Sequence, residues 1–197
     1  MRLVPHRREA HVEFGLWRFA LLFAVLFVLV AMVWAFFVPF YNCLVVSGAR
    51  IAFSLVEHPQ ITCVRAQRDR VAIYRNEEGA QEPVPFSGFS RYIYFGLVPL
   101  LALFFATPGL GKAPRLKRAL IGTSLLFLCH VIYLVSSIEL AYVFAGCRTV
   151  GPILYRILDW TQVLLRLLWE VSPILIWAFL THEVWWKPSP SVNRNGI

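Results

Sequence analysis

An all-α integral membrane protein is the fold class the sequence predicts: four transmembrane helices, both termini cytoplasmic, and a small extracytoplasmic β-hairpin module. Three observations predict it. First, the 197 residues are 58% hydrophobic and only 15% charged, whereas soluble domains sit nearer roughly 45–50% apolar and about 25% charged. Second, the apolar residues come in long uncharged blocks, as lipid-embedded helices require. Third, the net charge of +8 is gathered beside those blocks. That clustering reads as membrane topology with anionic lipid headgroups as counter-charge, and it excludes nucleic acid as the partner.

Residues 1–18 form a cytoplasmic basic leader with Arg2, Arg7, Arg8 and Arg18. Residues 19–40, from Phe19 to Phe40, follow as 22 residues without a charge. As a helix this block is roughly 33 Å long, enough to cross the hydrocarbon core. A cleaved signal would have an apolar region of only about 7–15 residues, so the block is read as an uncleaved first span.

Residues 41–91 are the extracytoplasmic module. Cys43 to Glu57 predicts a helix leaving the membrane along its surface, stopped at His58-Pro59. Ile61 to Gln67 and Arg70 to Asn76 are β-rich runs around Arg68-Asp69, which predicts a hairpin. The stretch Asn76 to Gly88 is acidic and then rich in Pro and Gly, so it reads as loop.

Residues 92–108 predict the second span, with Gly96 and Pro99 inside it. Residues 109–118 form a basic loop with Lys112, Arg115, Lys117 and Arg118. Residues 119–146 predict the third span, 147–162 an outer turn and interfacial helix, and 163–186 the fourth span. The fourth span closes on Trp185, Trp186 and Lys187, an interfacial anchor, before the polar tail 187–197. Four positive charges in the ten-residue loop put that loop and both termini in the cytoplasm.

Few residues carry candidate chemistry. His130 lies near the middle of the third span and shares a helix face with Thr123 and Ser137. Hydrogen bonding between helices is the favoured reading, over a proton relay or catalytic base. Arg156, Asp159, Arg166 and Glu170 fall within roughly 80° of helical arc, an ionic stripe on an apolar cylinder. It lies either in water or headgroups, or inside the bundle with Arg166 and Glu170 as an i,i+4 pair. Depth along the two spans then predicts a His130–Glu170 contact.

Cys43, Cys63 and Cys147 fall on the outer side. A Cys63–Cys147 disulfide would tie the hairpin to the third span, and free thiols are the equal alternative. Cys147 with His130 and Arg148 supplies the residue types of a cysteine transpeptidase, without any specific spacing. The Gly109 to Lys112 segment fails as a phosphate loop, and His182-Glu183 lacks the second His of a zincin. No cofactor or metal is expected.

The layout resembles the small membrane proteins associated with exosortases, in particular the exosortase H-associated type. The likeness lies in Trp34 and Pro39 closing the first span, the outward module of about 50 residues, the string Tyr94 to Leu103, and the ending Ala106-Thr107-Pro108. The resemblance implies a bacterial inner-membrane accessory role in protein sorting, beside an enzyme that cleaves a C-terminal signal. It carries over no catalytic residue. The expectation is therefore a non-enzymatic accessory or assembly protein bound to a larger membrane protein. The alternatives are a small membrane cysteine transpeptidase or protease, and a small transporter or channel subunit.

Overall fold

The computed structural model describes residues 7–56, 62–67, 70–77, 80–84, 93–147, 149 and 151–186. The element order is α1 (Arg7–Val56), β1 (Thr62–Gln67), β2 (Arg70–Glu77), β3 (Ala80–Val84), a 3-10 turn (Ile93–Gly96), α2 (Leu97–Ala106), α3 (Lys112–Phe144) and α4 (Pro152–Trp186). The fold is mostly helical, with a small antiparallel sheet. Three helices, α1, α3 and α4, are long and apolar enough to cross a membrane. The stretch Tyr94–Ala106 is apolar but shorter. Through the 3-10 turn and α2 it rises only roughly 23 Å, less than a full hydrocarbon core.

Helix α1 changes character along its length. Leu21, Leu22, Val25, Val28, Leu29, Met32, Val33 and Phe36 are all exposed. Apolar side chains uncovered over so long a stretch suit lipid rather than water. From Val38 onward the helix buries Tyr41, Asn42, Val45, Val46, Ala49 and Phe53. That three-and-four spacing makes one inward face. The predicted surface helix over 43–57 is thus a continuation of α1, with Pro39 inside it.

Small residues set the helix spacing. A Cβ on Gly48 would lie 2.8 Å from Cγ2 of Val131 on α3, and one on Gly122 would lie 2.6 Å from Cε2 of Phe104 on α2. Only glycine permits these approaches, as is common where helices pack without a hydrophobic driving force.

The predicted hairpin is present, with Val64 opposite Ile73 and Gln67 opposite Arg70. The structure adds a third strand where the sequence reads as loop. β3 pairs with β2, setting Val84 opposite Ile73. The resulting row Val64–Ile73–Val84 is buried and joins the same core as Val45 and Phe53 of α1. On the other face Arg65 lies over the Tyr74 ring at 5.1 Å. A third strand and a helix to pack on supply what an isolated hairpin lacks.

Two boundaries move. The predicted basic loop is largely helical, because α3 begins at Lys112. The predicted interfacial helix and fourth span are one helix, which carries Pro173 inside it. The turn between α2 and α3 is held by Gly109 at φ 76° and by Arg115. The guanidinium donates to the carbonyls of Thr107 and Leu110, both at 3.0 Å, as a basic residue does at a helix C-terminus. The His58-Pro59 stop, the Arg68-Asp69 turn, the Lys187 anchor and the tail 187–197 lie outside the described residues.

Candidate functional site

The most polar part of the interior is a cluster where α1, α2, α3 and α4 meet. Its members come from the buried face of α1 (Tyr41, Asn42), the 3-10 turn (Tyr94), α3 (His130) and α4 (Trp169). The Tyr41 hydroxyl and Nδ1 of His130 are hydrogen-bonded at 2.9 Å. The Tyr94 hydroxyl donates to Oδ1 of Asn42 at 2.8 Å. Aromatic edges close the group: Tyr41 and Tyr94 cross at 5.2 Å between centroids, Tyr94 and His130 at 5.5 Å, and His130 and Trp169 at 6.1 Å. His130 is completely buried. Its Nε2 and the indole nitrogens of Trp34 and Trp169 are buried, with no hydrogen-bond partner among the described residues.

The favoured reading of His130, interhelical hydrogen bonding, matches this geometry. Two more bonds from α3 act alike: Gln162 of α4 donates to Ser137, on the His130 face, at 2.8 Å, and Tyr142, about 120° round the helix, donates to Thr62 of β1 at 2.9 Å. The chemistry of the cluster is cohesion. Tyr41, Asn42, Tyr94 and one nitrogen of His130 are each matched to a group on another element, and these bonds fix which helix faces meet.

The expected His130–Glu170 contact is not formed. His130 lies instead against Trp169, the residue before Glu170. Rotation about α4 turns Trp169 inward and Glu170 outward. Arg166 and Glu170 do form the expected i,i+4 pair, at 3.8 Å between Nε and Oε1. Both side chains are exposed, by 72% and 56%, on the outside of the bundle rather than along an internal path.

Cys63 and Cys147 are separate thiols, as are Cys43 and Cys129. Hydrogen bonds make the tie that the disulfide would have made. Arg75 of β2 donates to the carbonyl of Cys147 at 3.1 Å, and Arg50 of α1 donates to the carbonyl of Val64 at 2.6 Å. Cys147 lies beyond the end of α3, about 21 Å of helix from His130, so the pair cannot exchange a proton directly. Arg148 lies outside the described residues. Among the described residues no group of three or more His, Cys, Asp or Glu could hold a metal ion.

Sequence reasoning missed Tyr41, Asn42, Tyr94 and Trp169. Tyr41-Asn42 carries a signal, a polar pair at the end of an otherwise apolar span, but the bounds 41–91 place it in the outward module.

A groove of about 310 Å³ opens on the other flank of Trp169. It lies between α3 and α4, with Tyr133, Leu168 and Ile176 among its lining residues. Its lining is mostly apolar, with Cys129 and Ser172 among its residues, and the Ser172 hydroxyl is engaged with the carbonyl of Trp169 at 2.9 Å. With a sealed polar cluster, an outward ion pair and this apolar groove as its notable features, the chain matches no protein-family model, no curated protein and no solved structure with which it was compared.

Proposed function

We propose that the chain is a non-enzymatic accessory protein of a bacterial inner membrane, serving an exosortase-type protein-sorting enzyme. In this reading α1, the short α2, α3 and α4 make four crossings, with both termini and the Lys112 to Arg118 stretch on the cytoplasmic side. The sheet stands outside and meets the larger enzyme.

One observation carries the reading: three hydrogen bonds fix the sheet, one from Arg50 of α1 and two at the end of α3, through Tyr142 and from Arg75 to the Cys147 carbonyl. Such fixing suits a module presented in a set orientation. Burial of His130, its distance from Cys147 and the outward aim of Glu170 weigh against the transpeptidase and transporter alternatives. The basic residues at the α2–α3 turn support the orientation. The likeness in residues 92–108 is what favours a sorting enzyme over other partners.

The test uses a photoreactive residue at Arg65 or at Pro83, both exposed, in the native host. A crosslink to one membrane enzyme, whose output falls when the chain is deleted and returns with a His130→Phe copy, is the expected result. Crosslinks to lipid alone, or an enzyme whose output is indifferent to the chain, would remove the accessory role.

A further inference from the structure

On α4 the residues Arg166, Glu170, Pro173, Trp177, Leu180 and Val184 follow one another at steps of four, three, four, three and four. This is the spacing of a continuous helix–helix seam. The lower four are used within the chain. Pro173 closes on Gly96, whose added Cβ would lie 3.1 Å away. The indole of Trp177 donates to Thr107 at 2.9 Å. Leu180 packs against the core, and Val184 lies by Gly109 at the α2–α3 turn. The seam is therefore filled, over most of its lower half, by α2, its 3-10 turn and the bend that follows.

The upper two members are the exposed ion pair. The contact of Arg118 with Glu183 at 3.4 Å marks the basic end of the bundle. From Glu183, Glu170 is about 20 Å and Arg166 about 26 Å along α4, inside an apolar core of about 30 Å. Glu170 at that depth is unfavourable against lipid and calls for a facing group, whereas Arg166, about 4 Å from the far edge, can also reach the interface along its stem. Leu167 and Val171 beside them are exposed too.

We propose that the upper part of this seam receives a transmembrane helix of another membrane protein. That helix carries an acid opposite Arg166 and a base opposite Glu170, one turn apart. It continues upward the packing that α2 supplies below. The partner is a different protein rather than a second copy. A two-fold axis along the membrane normal would set Arg166 against Arg166 and Glu170 against Glu170, like against like. An anionic headgroup is likewise disfavoured, since Glu170 stands beside the only base it would meet on the seam. The proposal deepens the accessory reading by locating its contact within the membrane, and it rests on that reading for the partner's existence.

The test needs no identified partner. The full-length protein, fluorescently labelled, is placed in phosphatidylethanolamine–phosphatidylglycerol vesicles with one of three synthetic leucine–alanine transmembrane peptides. One peptide carries Glu and Lys in the order that faces Arg166 and Glu170, the second carries them exchanged, and the third carries no charge. Energy transfer should report association with the first about tenfold tighter than with the third. The doubly exchanged variant Arg166→Glu/Glu170→Arg should switch its preference to the second peptide. Should that variant unfold in detergent, Glu170→Gln carries the same test and should lose the preference for the first peptide over the third.

Equal association with all three peptides would overturn the proposal. So would transfer between two labelled copies of the chain that exceeds transfer to any peptide, which would make a second copy the occupant. Peptide selectivity does not depend on any sorting enzyme. Its failure would leave the accessory role standing, and loss of that role with selectivity intact would remove the role alone.

Discussion

Tyr41 and His130, 89 residues apart in sequence, meet at 2.9 Å inside the bundle and join α1 to α3. Removing one partner of a buried hydrogen bond costs more than removing both, because the survivor keeps its desolvation penalty. Tyr41→Phe should lower stability by about 1 kcal/mol. The double variant Tyr41→Phe/His130→Phe should lose less than the two single changes summed. Unfolding of detergent-solubilised protein over the four members of the cycle measures the difference. Strict additivity would mean the bond contributes nothing.

Gly122 gives a steric prediction. Its added Cβ would fall 2.6 Å from Phe104, and that ring is completely buried. Gly122→Val should therefore push α2 from α3 and destabilise by about 1–3 kcal/mol. Adding Phe104→Leu should recover part of the loss. A Gly122→Val protein with an unchanged thermal midpoint would show that the two helices are not so close.

The sheet should loosen before the helices do. Tyr142→Phe removes the donor to Thr62, and Arg75→Ala removes the bond to the Cys147 carbonyl. Together they should raise amide exchange across β1 and β2 by about tenfold or more while α3 stays protected. Exchange that rises equally in α3 would show that sheet and bundle open as one unit.

Topology is open to a direct chemical check. In a cysteine-free background, a cysteine at Gly111 should react with a membrane-impermeant maleimide only after the cells are permeabilised. A cysteine at Pro83, on β3, should react in intact cells. Reversed labelling would invert the orientation and with it the outward position of the sheet.

Several features of the fold are legible in the sequence because they depend on neighbours along the chain. The uncharged block from Phe19 to Phe40 reads as a span from length alone. The alternation through Val64 and Ile73 reads as paired strands because period two is local. β3 escapes the same reading, since Glu82 and Pro83 leave it little apolar pattern before Val84, and only pairing with β2 makes it a strand. The His130 site was half legible. Depth along α3 and α4 follows from counting residues, and it led to within one position of Trp169. What counting cannot supply is the rotation of α4, which decides whether Trp169 or Glu170 faces inward. Tyr41 was hidden for another reason. Phe40 ends the uncharged block and separates a span from a surface helix in the sequence, whereas α1 runs through unbroken to Val56.

Pro39 stands where α1 passes from its largely exposed lower stretch to the face that buries Tyr41 and Phe53. A proline there deprives the carbonyl of Ala35 of its usual amide donor and weakens the rod at one point. The arm below that point follows the bundle along one face, where Phe19 stacks on Trp177 at 6.3 Å and Phe27 meets Phe95 at 5.8 Å. A weakened point there lets one continuous helix run in two slightly different directions, the lower part along α4 and the 3-10 turn and the upper part along α3 and the sheet.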